Sequence, residues 1–265
     1  MKTRCDYVDT PYGQVHLRTA GKRSDAIPLV LLHQTASHSA MYESIMDDLG
    51  EHTWCVAPDT PGYGGTPHPD EAGDIAHYAR VIRAALKALG IDRCWLFGHH
   101  TGASIAVQML TDEPELAEKL ILSGPPYLTQ EQIEAIIPKV CPVRLESDGS
   151  HFMDVWTRIR SKAPDAPVEL THREAVSNLQ VGPRYLEAYT AVFEHDFAGQ
   201  LADIETETLV MAGEQDTIRG SLEPAYNVLK NGSIRVLPVG GTYICDTHPE
   251  LIIEQLSSFF ELPEA

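Results

Sequence analysis

Short, continuous runs of apolar residues recur along the chain and are separated by segments with helical periodicity. The runs cover residues 27–32, 53–57, 93–97, 119–122, 208–212 and 234–237. Such runs are typical of strands buried on both faces, and their alternation with helices is typical of a parallel sheet. The sequence therefore predicts an α/β fold with a mostly parallel, doubly wound sheet.

Two further strands are predicted ahead of these runs, at residues 4–9 and 14–19. Pro11 and Gly13 lie between them and favour a reversal of the chain. We therefore expect an antiparallel hairpin at the edge of the sheet, which brings the sheet to eight strands.

Two helices have clear limits in the sequence. The first begins near Asp74 and ends before Gly90, and its apolar residues fall on one face. The second is the last of the chain and begins at Thr247 with a capping box. It has Pro249 at its first helical position and extends to about Phe260.

The strand pattern disappears between residues 124 and 200, where helix starts take its place. Thr129 and Thr171 are each followed three residues later by Gln or Glu, which predicts two capped helices. Further helices are predicted to begin around Ser150 and at Pro183.

This segment is interpreted as an inserted helical cap, 124–200, on a core domain formed by 1–123 and 201–265. Six aromatic residues of the cap either line a pocket over the sheet or pack the cap on itself. They are Tyr127, Phe152, Trp156, Tyr185, Tyr189 and Phe193.

The chain has 265 residues and a formal net charge of −18, with 38 acidic against 20 basic residues. Nucleic acid and anionic membranes are therefore not expected as partners. No apolar run reaches the length of a membrane span. The five cysteines form no CxxC pair, so reduced thiols are expected, and charges near the N-terminus in place of an apolar stretch favour a cytoplasmic protein. A homodimer is left open.

A tight turn lies between a buried strand and an apolar helix. It reads Gly98-His99-His100-Thr101-Gly102. This is the context of a nucleophile elbow, in which flanking glycines relieve crowding and the middle residue adopts a strained conformation above the sheet. The sequence places His100 at that middle position.

Four other segments resemble landmarks of the α/β-hydrolase family and follow the family order over nearly the whole chain. Residues 31–35 resemble the oxyanion loop, 59–66 the loop Asp-x-Pro-Gly-x-Gly-x-Ser, 213–216 the strand end that supplies the triad acid, and 240–243 the segment that carries the catalytic histidine. The resemblance implies an α/β-hydrolase fold.

Two positions depart from the family pattern. His100 stands where the family has Ser, Cys or Asp, and Thr242 stands where the family has histidine. Only the acid, Asp216, remains. Serine acyl-enzyme chemistry needs a hydroxyl at the elbow beside an imidazole, and neither is in its usual place.

His100 admits four interpretations. In the one we favour, its imidazole extends into the space left at Thr242, pairs with Asp216 and acts as a general base. In the second, the pocket is degenerate and binds a ligand without catalysis. The third is a metal site formed by His33, His38, His99 and His100. Its spacing matches no zinc motif, so no metal or other cofactor is expected. The fourth is a covalent histidine nucleophile.

The resemblance also implies an oxyanion hole formed by the backbone N–H groups of Gln34 and Thr101. Such a site stabilises charge on a carbonyl oxygen, so we expect a small-molecule carbonyl substrate. Candidates for contacts with it are His33, His99, Ser123, Trp156, Thr242 and Tyr243. For His33 and Ser123, structural hydrogen bonds are the alternative.

The reaction predicted from these groups is hydrolysis of an ester, lactone or β-dicarbonyl compound by activated water. C–C bond lysis, decarboxylation or isomerisation through an enolate would use the same groups, and the sequence does not separate them.

Overall fold

A computed structural model of the chain describes residues 2–262. Its strands are β1 (Arg4–Thr10), β2 (Gly13–Ala20), β3 (Leu29–Leu32), β4 (Cys55–Pro58), β5 (Cys94–His99), β6 (Ala117–Ser123), β7 (Glu207–Gly213) and β8 (Gly232–Leu237). They form one sheet in the order β1-β2-β4-β3-β5-β6-β7-β8. The pairs β1–β2 and β2–β4 are antiparallel and the others are parallel, so the predicted fold class is confirmed.

The described residues also form eleven α-helices, and those of the core pack on both faces of this sheet. They are α1 (Glu43–Leu49), α2 (Ile75–Ala88), α3 (Thr101–Asp112), α4 (Gln130–Ile136), α5 (Ser150–Lys162), α6 (Val168–Val181), α7 (Glu187–Glu194), α8 (Phe197–Asp203), α9 (Leu222–Val228), α10 (Ile244–Thr247) and α11 (Pro249–Phe260). Alternate residues of a strand point to opposite faces. Val30 and Leu32 accordingly pack with α2 and α3, whereas Leu29 and Leu31 pack with α1 and α11.

Two helix starts in the core test the predictions from sequence. Asp74 caps α2, because its side chain accepts a hydrogen bond of 2.6 Å from the His77 N–H. Pro249 is the first residue of α11, as predicted, but the capping box at Thr247 is wrong. Thr247 ends the preceding helix α10, and its hydroxyl contacts the carbonyl of Tyr243 instead.

Helices α4 to α8 lie between β6 and β7. Helices α4 to α7 fall in the segment 124–200 that was predicted as a cap, and α8 extends three residues beyond it. The capping box of Thr129 and Gln132 at the start of α4 is confirmed. The predicted start at Thr171 is wrong, because α6 begins at Val168. Glu174, which was expected to close a capping box, is buried and contacts Ser37 of the core instead.

None of the helices described in residues 2–262 is long and apolar enough to cross a membrane. The structure pairs none of the five cysteines. Three of them, Cys55, Cys94 and Cys245, are buried, and burial raises the pKa of Cys55 and of Cys94 to about 12. These thiols therefore stay protonated and unreactive near neutral pH.

Candidate active site

The turn between β5 and α3 has the geometry of a nucleophile elbow. His100 has φ +49° and ψ −111°, a conformation that a side chain other than glycine rarely adopts. The flanking glycines allow it, because a Cβ at Gly102 would collide with the Leu32 carbonyl and a Cβ at Gly98 with the Gly102 carbonyl. The elbow thus presents the His100 side chain at the carboxyl end of the sheet.

His100 and Asp216 meet at this end of the sheet. The distance from His100 Nε2 to Asp216 Oδ2 is 2.9 Å, although 116 residues separate them along the chain. Gly124, directly after β6, makes room for the imidazole: a Cβ there would lie 2.6 Å from His100 Nε2. The ring therefore extends over Gly124 towards the carboxylate.

The Asp216 carboxylate is almost completely buried and its other oxygen accepts a hydrogen bond of 2.9 Å from the Ile218 N–H. Burial alone would raise the pKa of Asp216, but His100, His99 and the Ile218 N–H together outweigh it and hold this pKa below its ordinary value. The carboxylate is therefore ionised at neutral pH and favours an N–H on His100 Nε2. His100 Nδ1 forms no hydrogen bond within residues 2–262, so its lone pair is available.

The neighbouring His99 has a different environment. Its ring is buried, and Nε2 lies 2.9 Å from the Thr242 carbonyl while Nδ1 lies 3.0 Å from the Ser123 hydroxyl. A carbonyl only accepts, so Nε2 donates to Thr242 and Nδ1 accepts from Ser123. Burial, together with the adjacent His100, lowers the pKa of His99 to about 3. His99 is therefore a neutral ring that ties the Thr242 loop to the elbow.

The neutral state of His99 predicts that acid destabilises the fold. Between pH 6.5 and about 3, the unfolded chain binds a proton at this position that the folded chain does not. Stability therefore rises with pH across this window, and by pH 4 His99 alone should cost about 3 kcal/mol. Urea unfolding at pH 4, 5 and 7 measures the effect.

The variant His99→Gln serves as the control for this measurement, since it cannot titrate and should show a flatter dependence on pH. The lowered pKa of Asp59 and of Asp216 acts in a separate window, because the stability these carboxylates contribute is lost only as the pH falls below their ordinary pKa of 3.8. Equal slopes for wild type and His99→Gln between pH 7 and 5 would contradict a neutral, buried His99.

The loop after β3 lies against the elbow. The Thr35 hydroxyl is 2.7 Å from the Thr101 hydroxyl, and the Thr35 N–H donates to the same oxygen at 3.3 Å. The N–H groups of Gln34 and Thr101 form no hydrogen bond within residues 2–262. Gln34 and Thr101 both line the cavity above His100, and the Gln34 amide donates to the Thr242 carbonyl at 3.1 Å.

A cavity of about 460 Å³ lies above the elbow, between the core and the cap. Core residues at its base are Gln34, Thr35, His100, Thr101, Thr217, Ile218 and Thr242. Cap residues in its wall are Pro126, Leu128, Ile136, Lys139, Val140, Arg158, Lys162, Tyr185, Tyr189, Val192 and Phe193. Three of the six aromatic residues predicted in the cap therefore line the cavity: Tyr185, Tyr189 and Phe193. Of the six predicted substrate contacts, Thr242 lines it.

The other five candidates for substrate contacts do not line this cavity. His99 and Ser123 hydrogen-bond to each other below it. Tyr243 is buried in the apolar core, and Trp156 packs against the same core from the cap side. His33 is buried as well, with Nε2 accepting from the Thr60 N–H at 2.8 Å and Nδ1 donating to the Gln34 carbonyl at 2.9 Å, so it has the structural role given as the alternative.

A family model described as the alpha/beta hydrolase fold matches residues 27–220. The chain belongs to the α/β-hydrolase family. The match includes the loop after β3, the elbow and Asp216, which are the groups that meet at the base of the cavity.

Relatives of this α/β-hydrolase include hydrolases of similar length. 2-(Acetamidomethylene)succinate hydrolase of Mesorhizobium japonicum is 22% identical over 264 residues, covering 94% of this chain and 93% of the relative. Proline iminopeptidase of Lactobacillus delbrueckii subsp. lactis is 24% identical over 239 residues, covering 78% of this chain and 81% of the relative.

Solved structures show the same architecture. An esterase from Exiguobacterium antarcticum has a TM-score of 0.81 at 19% identity and covers 98% of this chain and 100% of its own. The crystal structure of E-2-(acetamidomethylene)succinate hydrolase has a TM-score of 0.80 at 19% identity, with coverage of 98% and 99%. At this level of identity the likeness establishes the fold.

A buried polar network joins the cap of this α/β-hydrolase to the loop that carries Gln34. Glu174 of α6 accepts a hydrogen bond of 2.9 Å from the Ser37 hydroxyl and binds Arg173 at 2.7 Å. Arg173 also binds Asp246 at 2.6 Å, close to the Thr242 loop. The sequence analysis missed this network, because only the folded chain brings α6 against two distant loops.

The histidines considered as a metal site are dispersed among other roles. Both ring nitrogens of His33 and of His99 are occupied by protein hydrogen bonds, and His38 Nδ1 accepts from the Ala40 N–H at 3.3 Å. Residues 2–262 contain no group of three or more His, Cys, Asp or Glu side chains arranged to hold a metal ion.

Proposed function

We propose that this α/β-hydrolase is an enzyme that acts on a small carbonyl compound, such as an ester, a lactone or a β-dicarbonyl, with His100 as the general base and Asp216 as the residue that positions it. The observation that carries the proposal is the 2.9 Å contact between His100 Nε2 and Asp216 at the base of the cavity. It supplies an oriented imidazole at the position where the family has its nucleophile.

The proposed hydrolysis proceeds through an activated water molecule. His100 Nδ1 takes a proton from water while the water oxygen forms a bond to the carbonyl carbon. The carbonyl oxygen becomes an oxyanion, held by the N–H groups of Gln34 and Thr101. The C=O bond then re-forms, the bond to the leaving group breaks, and His100 returns the proton to that group.

The hydroxyl groups at the cavity support a mechanism without a serine nucleophile. They belong to Thr35, Thr101, Thr217, Thr242, Tyr185 and Tyr189. Ser104 is buried inside α3, and Ser123 is bonded to His99. The name of one relative supports a carbonyl substrate, since acetamido and succinate groups are both built on carbonyl carbons.

Proton abstraction from carbon is the second candidate reaction. A base next to an oxyanion hole, with no serine or cysteine among the described lining residues, suits the formation of an enolate. Isomerisation would start from that step, whereas C–C lysis and decarboxylation would form the enolate as the C–C bond breaks and would use the same oxyanion hole. Exchange of the acidic C–H of a β-diketone for deuterium, followed by NMR in ²H₂O, distinguishes it from hydrolysis.

The pH dependence of turnover tests the base. With a panel of 4-nitrophenyl esters, lactones and β-diketones, kcat/KM should fall as the pH is lowered, because a protonated imidazole cannot accept a proton. Circular dichroism at each pH separates this loss from the acid destabilisation that His99 predicts.

Rapid mixing adds a second criterion. Attack by water predicts no burst of 4-nitrophenol, whereas a covalent acyl-enzyme predicts a burst close to the enzyme concentration. Saturable binding without turnover of any compound in the panel would contradict the proposal and favour a ligand receptor.

A further inference from the structure

The charge of the cavity is opposite to that of the chain. Lys139, Arg158 and Lys162 line it, and no Asp or Glu is among the described lining residues. The whole chain carries 38 acidic and 20 basic residues, so a wall with three cations and no acid is unlike the rest of the molecule. All three cations come from the cap.

Arg158 is the least exposed of the three and has an unusual environment. Its guanidinium stacks on the Tyr185 ring, 4.6 Å from the ring centroid, and donates to the Cys141 carbonyl at 2.7 Å. Asn178 lies at 3.4 Å from Nη2, and the buried Nε has no partner. No carboxylate lies within 4.0 Å of it in residues 2–262.

A comparison with Arg173 shows that the Arg158 guanidinium lacks the carboxylate partners that a partly buried arginine usually has. Arg173, on the next helix, binds the two carboxylates of Glu174 and Asp246. A partly buried cation is normally compensated in this way, because removal from water costs free energy. Arg158 uses only some of its five N–H donors and lacks an anion.

The two lysines extend the positive surface to the mouth of the cavity. Lys139 ends a 3₁₀ turn after α4, and Lys162 lies four residues beyond Arg158 on α5; both are exposed. Like charges four residues apart on a helix repel each other. A position in the last turn of α5 accounts for Lys162 through the helix dipole, but not for Arg158 or Lys139.

We propose that the cavity selects substrates that carry a carboxylate, with Arg158 binding this group while the reacting carbonyl lies at His100. Lys139 and Lys162 attract the anion to the mouth. A planar guanidinium matches the two oxygens of a carboxylate. This inference rests on the proposed function for the placement of the carbonyl, but not for the binding of the anion.

The rest of the cavity lining indicates the shape of the substrate. Leu128, Val140, Tyr189, Val192 and Phe193 are apolar or aromatic. A volume of about 460 Å³ suits a small molecule. The expected substrate therefore has an apolar chain or ring between its carbonyl and its carboxylate.

Binding of a matched pair of ligands tests the inference without turnover. By calorimetry, 3-phenylpropionate should bind at least about tenfold more tightly than 3-phenylpropanamide, which has the same shape and no charge; tenfold corresponds to about 1.4 kcal/mol. Arg158→Gln should abolish this preference. Arg144→Gln, which removes an exposed cap cation away from the cavity, should preserve it.

A second variant covers the case in which Arg158→Gln does not fold. The double variant Lys139→Gln/Lys162→Gln alters only exposed side chains, and it should weaken 3-phenylpropionate binding about two- to fivefold and reduce its dependence on salt. Equal affinity of wild type for acid and amide would overturn the inference, as would an unchanged preference in both the Arg158 variant and the double variant.

Failure of the anion site and failure of the proposed base give different results. His100→Gln should still bind 3-phenylpropionate more tightly than the amide, while its kcat/KM for esters falls at least about 100-fold. If the wild-type protein prefers the acid but turns over no substrate, the anion site is supported and the proposed reaction is contradicted. Activity on neutral esters together with equal affinity for the acid and the amide would support the proposed reaction and contradict the anion site.

Discussion

Replacement of His100 by glutamine should lower kcat/KM about 100- to 10,000-fold for the best substrate of the panel, because a general base contributes a factor of this size. Glutamine is similar in length to histidine and polar, but it cannot take up a proton near neutral pH. It can still reach towards Asp216, so folding should be retained. Initial rates and urea unfolding of both proteins measure the two effects separately.

The variant Asp216→Asn removes the negative charge beside His100 and nearly preserves the shape of the side chain, so it tests the role of that charge. Asparagine keeps an oxygen for the Ile218 N–H, which lies 2.9 Å from Oδ1. Its amide N–H facing His100 Nε2 would favour the tautomer with the proton on Nδ1, the nitrogen that has to act as base. We expect a loss of about 100-fold or more in kcat/KM with little change in KM.

His172→Gln is the control for these variants, since His172 is an exposed histidine of the cap. It should leave kcat/KM unchanged. Retention of activity within about threefold by His100→Gln would contradict the assignment of His100 as base, whatever the behaviour of Asp216→Asn.

The sheet and the elbow could be predicted because their signals are local. An apolar run such as 29–32 is buried on both faces of the sheet, and its continuous apolar pattern is enough to predict this burial. The glycines around His100 likewise indicate a strained turn, and the structure places His100 at φ +49°. The elbow follows β5 and Asp216 follows β7, and because only β6 separates these parallel strands, both groups lie at the same end of the sheet.

Other parts of the site depend on contacts that no local pattern records. His99 looks like a second ligand next to His100, and the centroids of the two imidazole rings do lie 4.4 Å apart, but both ring nitrogens of His99 are used by Ser123 and by the Thr242 carbonyl. Glu174 has the spacing of a helix cap, yet its carboxylate is used by Ser37 across 137 residues of sequence. Arg158 has no sequence signal that separates it from a surface arginine.

No sequence pattern singled out Gly124. Its replacement by alanine should disrupt the pair of His100 and Asp216, although neither of these residues is replaced. A Cβ at this position would collide with the His100 ring, 2.6 Å from Nε2, and would lie 3.2 Å from Asp216 Oδ2. The imidazole would have to move away from the carboxylate. A displacement of about 1 Å in a catalytic group can cost about 100-fold in rate, and we expect a loss of that size in kcat/KM.

Gly182→Ala is the matched control, because the two glycines have almost the same positive φ while the contacts of an added Cβ differ. Gly124 has φ +58° and Gly182 has φ +59°, but a Cβ at Gly182 would meet nothing within 4 Å. Both variants should lose about 1–2 kcal/mol of unfolding free energy from the left-handed backbone, and Gly124→Ala about 1–3 kcal/mol more from overpacking. Only Gly124→Ala should lose activity. If it keeps wild-type kcat/KM while unfolding at lower urea, the ring position that Gly124 permits is not needed for the reaction, and the base must act from another orientation.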